Sequence, residues 1–190
     1  MARLTYLEAK AHYFTDDDIR VGLVPRNTAE FMANISIREP QVPQLISIDS
    51  GSNVVWVQCL PCTKCFEQTS PTFYPSKSST YTQFPCSSSN CTINDDKCDP
   101  SNNYKFSRRY AGGSIVDGLV GTEKFTFETS DEGISTVPDV VFGCASHTDP
   151  HYGKARGILG LGPLKISLAN QIRSKFPHCI GSIRDLNYPC

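Results

Sequence analysis

No apolar run in this 190-residue chain reaches the ~18–20 residues that a helix needs to cross a bilayer. Nor does one charge sign dominate: 18 Lys and Arg oppose 19 Asp and Glu, for a formal net charge of −1. A near-neutral chain has no general attraction for nucleic acid or an acidic membrane, so neither is an expected partner. Charged residues make up only 19% against 39% hydrophobic, which excludes a mainly disordered tail. There is no internal repeat and no low-complexity tract beyond Ser87-Ser88-Ser89. No apolar stretch follows Met1-Ala2-Arg3, so no signal peptide is read there. The length fits one domain, or one lobe of something larger. A Gly-x-Ser-x-Gly elbow is missing. Gly157–Gly162 lacks the strand–Gly-x-Gly-x-x-Gly–helix order of a dinucleotide site, so it reads as packing, and no cofactor is implied.

Cysteine is what the chain has in excess. Nine are present, six of them between Cys59 and Cys98, in a Pro/Ser-rich stretch from about Pro61 to Pro100. Clustered cysteines of this kind imply a disulfide framework and an oxidising compartment, and an odd total leaves a thiol free or paired with another molecule. Such a stretch is expected to add little core and to rely on crosslinks. Asn34-Ile35-Ser36 and Asn90-Cys91-Thr92 are glycosylation acceptor patterns that agree with export. A zinc reading competes: Cys59, Cys62 and Cys65 have C-x2-C-x2-C spacing, with Cys86 or Cys91 as a fourth ligand. Cys144, His147 and His151 offer a second metal-like spacing, against surface-loop histidines.

The periodicity predicts an all-β domain. Leu4, Leu7, Ala11 and Phe14 predict a short amphipathic helix within residues 1–20. From Phe31 the period becomes two: Phe31, Ala33, Ile35 and Ile37 alternate with polar neighbours. Leu45–Ile48, Val54–Val57, Lys124–Phe127 and Val137–Phe142 read as further short strands between Pro and Gly punctuation. Tyr110-Ala111-Gly112-Gly113-Ser114 predicts a hairpin with a primed turn. Ser167–Phe176 predicts one helix, capped by Ser167 and ended by Pro177.

The segment richest in chemistry is Leu45–Trp56. An apolar strand delivers Asp49, then Ser50-Gly51-Ser52, and a second apolar run follows. A carboxylate at the end of a buried strand is costly unless hydrogen-bonded, and the Gly51 and Ser52 groups can supply those bonds. Alone, the tetrapeptide reads more readily as an Asx-turn between two strands. Trp56, the Tyr110/Gly113/Ser114 hairpin tip and Ile158-Leu159-Gly160 follow in order. Together these resemble the N-terminal lobe of pepsin-like aspartic proteases. Trp56-Val57-Gln58-Cys59-Leu60-Pro61-Cys62-Thr63-Lys64-Cys65, Ser78–Tyr81, Cys86 and Val141-Phe142-Gly143-Cys144 narrow the resemblance to the plant nepenthesin-type branch, which includes the xylanase-inhibitor proteins.

That resemblance implies an all-β lobe over residues 29–190 with a disulfide-rich insertion, preceded by a propeptide-like segment, 1–28. It favours disulfides over zinc, and a secreted or vacuolar location. It implies that Asp49 is one of two catalytic carboxylates acting on a protein or peptide substrate. Ser52 would bond the Asp49 carboxylate, and Ser50 would give an inter-lobe hydroxyl. Tyr110 would close over substrate with Trp56 behind it, and the Gly113 N–H and Ser114 would meet the substrate backbone. No other Asp is followed by a hydroxyl residue and Gly; Asp117-Gly118 and Asp131-Glu132-Gly133 come nearest. The expectation is therefore a chain that ends near the first lobe's limit and lacks the dyad as a monomer, needing a second lobe or a homodimer. Arg38 in Ile37-Arg38-Glu39-Pro40 stands where the family has Gly, and Tyr104 where a Cys is expected. A non-catalytic binding lobe is the competing class.

Overall fold

β2 (Phe31–Ile37) and β3 (Val42–Asp49) form where apolar side chains alternate, and they pair antiparallel with Ala33 opposite Ile46. The computed structural model describes residues 23–25, 31–68, 71–86, 98–128, 133–149 and 157–172. The expected helix within residues 1–20 lies outside them. β1 (Leu23–Pro25), inside the segment expected to be propeptide-like, pairs antiparallel with β2.

The remaining strands are β4 (Trp56–Gln58), β5 (Thr82–Gln83), β6 (Lys105–Arg109), β7 (Ile115–Glu128), β8 (Ile134–Thr148) and β9 (Gly157–Gly160). Their hydrogen-bonded order runs β1-β2-β3-β9-β4-β8-β7-β5, with β6 also on β7. β2 pairs again with β7, so the path closes into a barrel. Two contacts are parallel, β3 with β9 and β4 with β8. Closure leaves fewer open edges for other chains to pair with.

Two strands are far longer than the short segments expected from the sequence. β7 and β8 have 14 and 15 residues and form one long hairpin. The Gly and Pro residues read as strand ends lie inside them. Gly143 faces the Phe106 ring, whose nearest atom would stand 2.5 Å from an added Cβ, so the glycine is there for close packing. Pro138 sits where the register shifts between Glu123 and Phe125, a bulge that spares the ladder a missing N–H.

Alternation sorts the side chains into two clusters. Val55 and Val57 join Ile46, Phe73, Phe125, Phe142, Cys144 and Leu159 in the barrel interior. Trp56, between them, points the other way, to Tyr104, Phe106, Val116, Ala145 and Ile158. Phe73, Tyr81, Phe125 and Phe142 meet edge-on with centroids 5.7–6.2 Å apart, the arrangement aromatic quadrupoles favour. Phe73 and Tyr81 belong to the cysteine-rich excursion, which thus does contribute core. Tyr104, in place of the expected Cys, fills the second cluster.

Hydrogen bonds tie down that excursion alongside the disulfides. The buried Gln58 amide donates to the Phe66 carbonyl (2.9 Å), while its oxygen accepts from Phe66 N–H (3.1 Å) and Thr148 Oγ1 (3.0 Å). Disulfides join Cys59 to Cys144, Cys62 to Cys65 and Cys86 to Cys98. They consume every cysteine of the two zinc-like spacings except Cys91, which lies outside the described residues. Among the described residues no three His, Cys, Asp or Glu gather as a metal site, and no helix is long and apolar enough to cross a membrane.

Two local expectations change. Of the expected helix the described part is α1, Leu168–Gln171, residues 173–177 lying outside the described residues, and the Ser167 side chain makes no cap bond to it. Ser167 Oγ instead accepts from Asn170 Nδ2 (3.0 Å), and the Gln171 side chain clamps both backbone groups of Val141 (2.7 and 2.9 Å). Arg38 adopts φ 70°, the left-handed conformation the family's Gly would take freely. Its N–H donates to Lys124 O (3.1 Å) and its Nε to Pro40 O (2.7 Å), which hold the turn in place.

Candidate active site

Asp49 is the last residue of β3, and two strands fix it there. It pairs in parallel with Gly160 of β9, and its carbonyl accepts Leu161 N–H (2.9 Å). Gly160 must be small: a Cβ would come 2.5 Å from the Asn53 carbonyl carbon, in the middle of the aspartate loop. Beyond it, Gly162 N–H donates to Ser52 O (2.8 Å) and Leu164 N–H to Asn53 Oδ1 (2.8 Å). The Gly-rich segment is thus the brace of the loop, as its packing reading anticipates.

Within the loop, Asp49 Oδ1 accepts Gly51 N–H at 2.8 Å. This bond aims the carboxylate. Asp49 is partly exposed and Ser50 exposed. Ser52 departs from expectation: its Oγ is buried and makes no hydrogen bond to Asp49. It lies instead on the Tyr110 side, close enough to lower the pKa of that phenol.

The residues expected to form a flap lie at the tip of the β6–β7 hairpin. Gly113 N–H donates to Tyr110 O (2.9 Å) and Tyr110 N–H to Ser114 O (3.0 Å). Gly113 alone has positive φ, 83°, so the loop is a three-residue turn closed by a left-handed glycine, not the primed turn expected. That closure occupies the Gly113 N–H, the group expected to meet substrate. Ser114 is buried at the hairpin base.

Tyr110 is positioned by Trp56, whose Nε1 donates to the phenol oxygen at 2.7 Å. Trp56 is itself fully buried, so the anchor cannot swing. Burial is the main cause that pushes the Tyr110 pKa up to about 12; the bond from Trp56 opposes it, the Asp49 charge adds to it and Arg108 opposes it. One phenol thus senses both the Asp49 carboxylate and the Arg108 cation of the hairpin. Of the expected residues, Asp49, Ser52, Trp56 and Tyr110 come together. Arg108 went unnoticed in the sequence, though its place two residues before Tyr110 on a strand was the available signal.

Residues 31–186 match the family model described as xylanase inhibitor N-terminal. The chain belongs to this family. Among its relatives are aspartic proteinase nepenthesin-1 of Nepenthes gracilis, 36% identical over 158 residues, and a probable aspartic protease of Arabidopsis thaliana, 34% identical over 178. Those alignments take in 81% and 89% of this chain but 35% and 40% of the relatives, so the chain spans well under half their length. Conglutin gamma, a basic 7S globulin from lupine seeds, shares the fold at a TM-score of 0.58 and 21% identity, over 80% of this chain and 41% of its own. Soybean basic 7S globulin does so at 0.58 and 22%, over 82% and 44%. This xylanase-inhibitor-type chain is a plant pepsin-like N-terminal lobe.

Proposed function

We propose that the chain is the first lobe of an aspartic endopeptidase, with Asp49 as one of its two catalytic carboxylates. The observation that carries the reading is the braced loop: Asp49, held by Gly51 N–H at the junction of β3 and β9, lies within electrostatic reach of a Tyr110 anchored on Trp56. In this chemistry two carboxylates face each other across a water and share one proton, because like charges that close cannot both ionise readily. The ionised one takes a proton from the water as it attacks the peptide carbonyl, and the protonated one donates to the developing oxyanion. The second carboxylate comes from a second lobe or from Asp49 of a second copy. Tyr110 covers the bound peptide, and Ser50, at the exposed loop tip, faces the partner lobe. The substrate is a protein or peptide, and three disulfides suit a secreted or vacuolar setting.

Proteolysis of a denatured protein at about pH 3–4, where one carboxylate of such a pair holds a proton, tests the reading. Activity that disappears in Asp49→Ala and with pepstatin supports it. Folded chain that stays inactive with or without a supplied second lobe refutes it. A second reading, a non-catalytic binding lobe, is favoured by the family's description as xylanase inhibitor N-terminal. Retention of xylanase on immobilised chain, unaffected by Asp49→Ala, would support that alternative.

A further inference from the structure

The inner face of the flap carries a fixed positive charge. Burial alternates along β6: Phe106 is buried, Ser107 exposed, Arg108 half-buried and Arg109 exposed. Arg108 stands directly opposite Val116 of β7, and Arg109 opposite Ile115. Residues opposite one another in an antiparallel pair share a face. Val116 is fully buried in the cluster of Trp56 and Phe106. Arg108 therefore leaves the strand on the inner side, the side of Phe106 and Val116, and Tyr110 reaches Trp56 from that side two residues on. Arg109 leaves on the opposite face.

We propose that Arg108 is a specificity-determining residue that selects peptides bearing an Asp or Glu side chain under the flap. The inference deepens the endopeptidase reading and rests on it. Its chemistry is simple. A guanidinium stays charged over the whole acid-to-neutral range, and its planar fork matches a carboxylate in a bidentate pair. An extended peptide repeats its same-face side chains every ~6.8 Å, the length of the step from Tyr110 to Arg108 along the hairpin. A peptide whose backbone lies below Tyr110 thus brings one same-face side chain to Arg108. That Arg108 lowers the Tyr110 pKa while the Asp49 charge raises it places the cation in the same field as the site.

The test is fluorescence anisotropy with labelled octapeptides on the full chain. Each pair of peptides differs only by Glu or Gln at one position, scanned along the peptide at about pH 5.5, where Glu is ionised. At one position the Glu peptide binds about tenfold tighter, the scale of a charge-assisted hydrogen-bonded pair. The gap narrows as salt rises and as the pH falls below ~4. In Arg108→Gln it closes; in Arg108→Lys, which restores the charge without the fork, part of it returns. Equal binding of every pair overturns the inference while leaving the endopeptidase reading intact, as does a gap that survives Arg108→Gln. Failure of all peptides to bind, both to the chain alone and with a second lobe supplied, refutes the endopeptidase reading itself, and this inference with it.

Discussion

Replacing Cys59 and Cys144 together by Ala should cost far more stability than removing either other disulfide. The two residues are 85 positions apart in sequence, so their bond closes a very long loop in the unfolded chain. Loop-closure entropy gives such a crosslink about 4.5 kcal/mol at room temperature. The same relation gives about 3 kcal/mol for Cys86–Cys98, 12 apart, and about 2 kcal/mol for Cys62–Cys65, 3 apart. Both Cys59 and Cys144 are buried in the barrel interior, so their loss also leaves small voids, which adds to the difference. Since a domain of this size holds roughly 5–15 kcal/mol in all, the Cys59/Cys144 variant should sit at the edge of folding. Urea denaturation followed by tryptophan fluorescence reads this directly through Trp56, which is buried beside the bond's strand. With a slope near ~2 kcal/mol per M, the midpoint should fall by about 2 M for Cys59→Ala/Cys144→Ala and about 1 M for Cys62→Ala/Cys65→Ala. A Cys59/Cys144 variant no less stable than the Cys62/Cys65 variant would refute the loop-length reasoning.

Three further outcomes are expected. Arg38→Gly should leave the melting midpoint nearly unchanged: relief of a left-handed Arg is worth ~1–2 kcal/mol, offset by ~0.4–1 kcal/mol for the freer unfolded Gly and ~0.5–1.5 kcal/mol for the lost Nε bond to Pro40 O, and a large shift either way in a thermal melt would contradict it. Tyr81 and Tyr110 both have folded pKa values near 12, above the ordinary value of 10.0; their contribution to stability is complete below pH 10 and is lost as the pH climbs from 10 towards 12. Spectrophotometric titration should find two phenols that ionise only in that range, together with unfolding. Trp56→Phe removes the donor to Tyr110; it should cost about 1 kcal/mol from that bond beyond any packing loss, and hydrogen exchange at residues 110–114 should quicken, with unchanged exchange arguing against the anchor.

The site was more legible in the sequence than the strands around it. Asp49 was singled out only by its company, since Trp56, the Tyr110 hairpin tip and Ile158-Leu159-Gly160 follow it in order, whereas Asp49-Ser50-Gly51-Ser52 alone favours an Asx-turn. The long β7–β8 hairpin was hidden because Gly118, Gly121, Gly143 and Pro138 carry the same letters whether they end a strand or permit close packing within one. Phe73 looked like loop because its neighbours are Pro, Ser and Thr; only the folded chain shows it entering the barrel. Which cysteines pair depends on how strands far apart in sequence come together, as β4 beside β8 brings Cys59 to Cys144. Arg108 escaped notice because strand alternation assigns it a face only once the partner, Val116, is known to be buried.

The parallel contact between β3 and β9 also sets an order of assembly. Asp49 pairs with Gly160, and its loop takes further bonds from Leu161, Gly162 and Leu164. None of these exists until nearly the whole barrel has been synthesised. Pairings of such long sequence separation form slowly, because the entropy of closing the intervening chain is lost before the contact repays it. On the ribosome, β2, β3 and the cysteine-rich excursion emerge while the aspartate loop is still unbraced. The loop that carries Asp49 is thus the part that a growing chain cannot yet assemble.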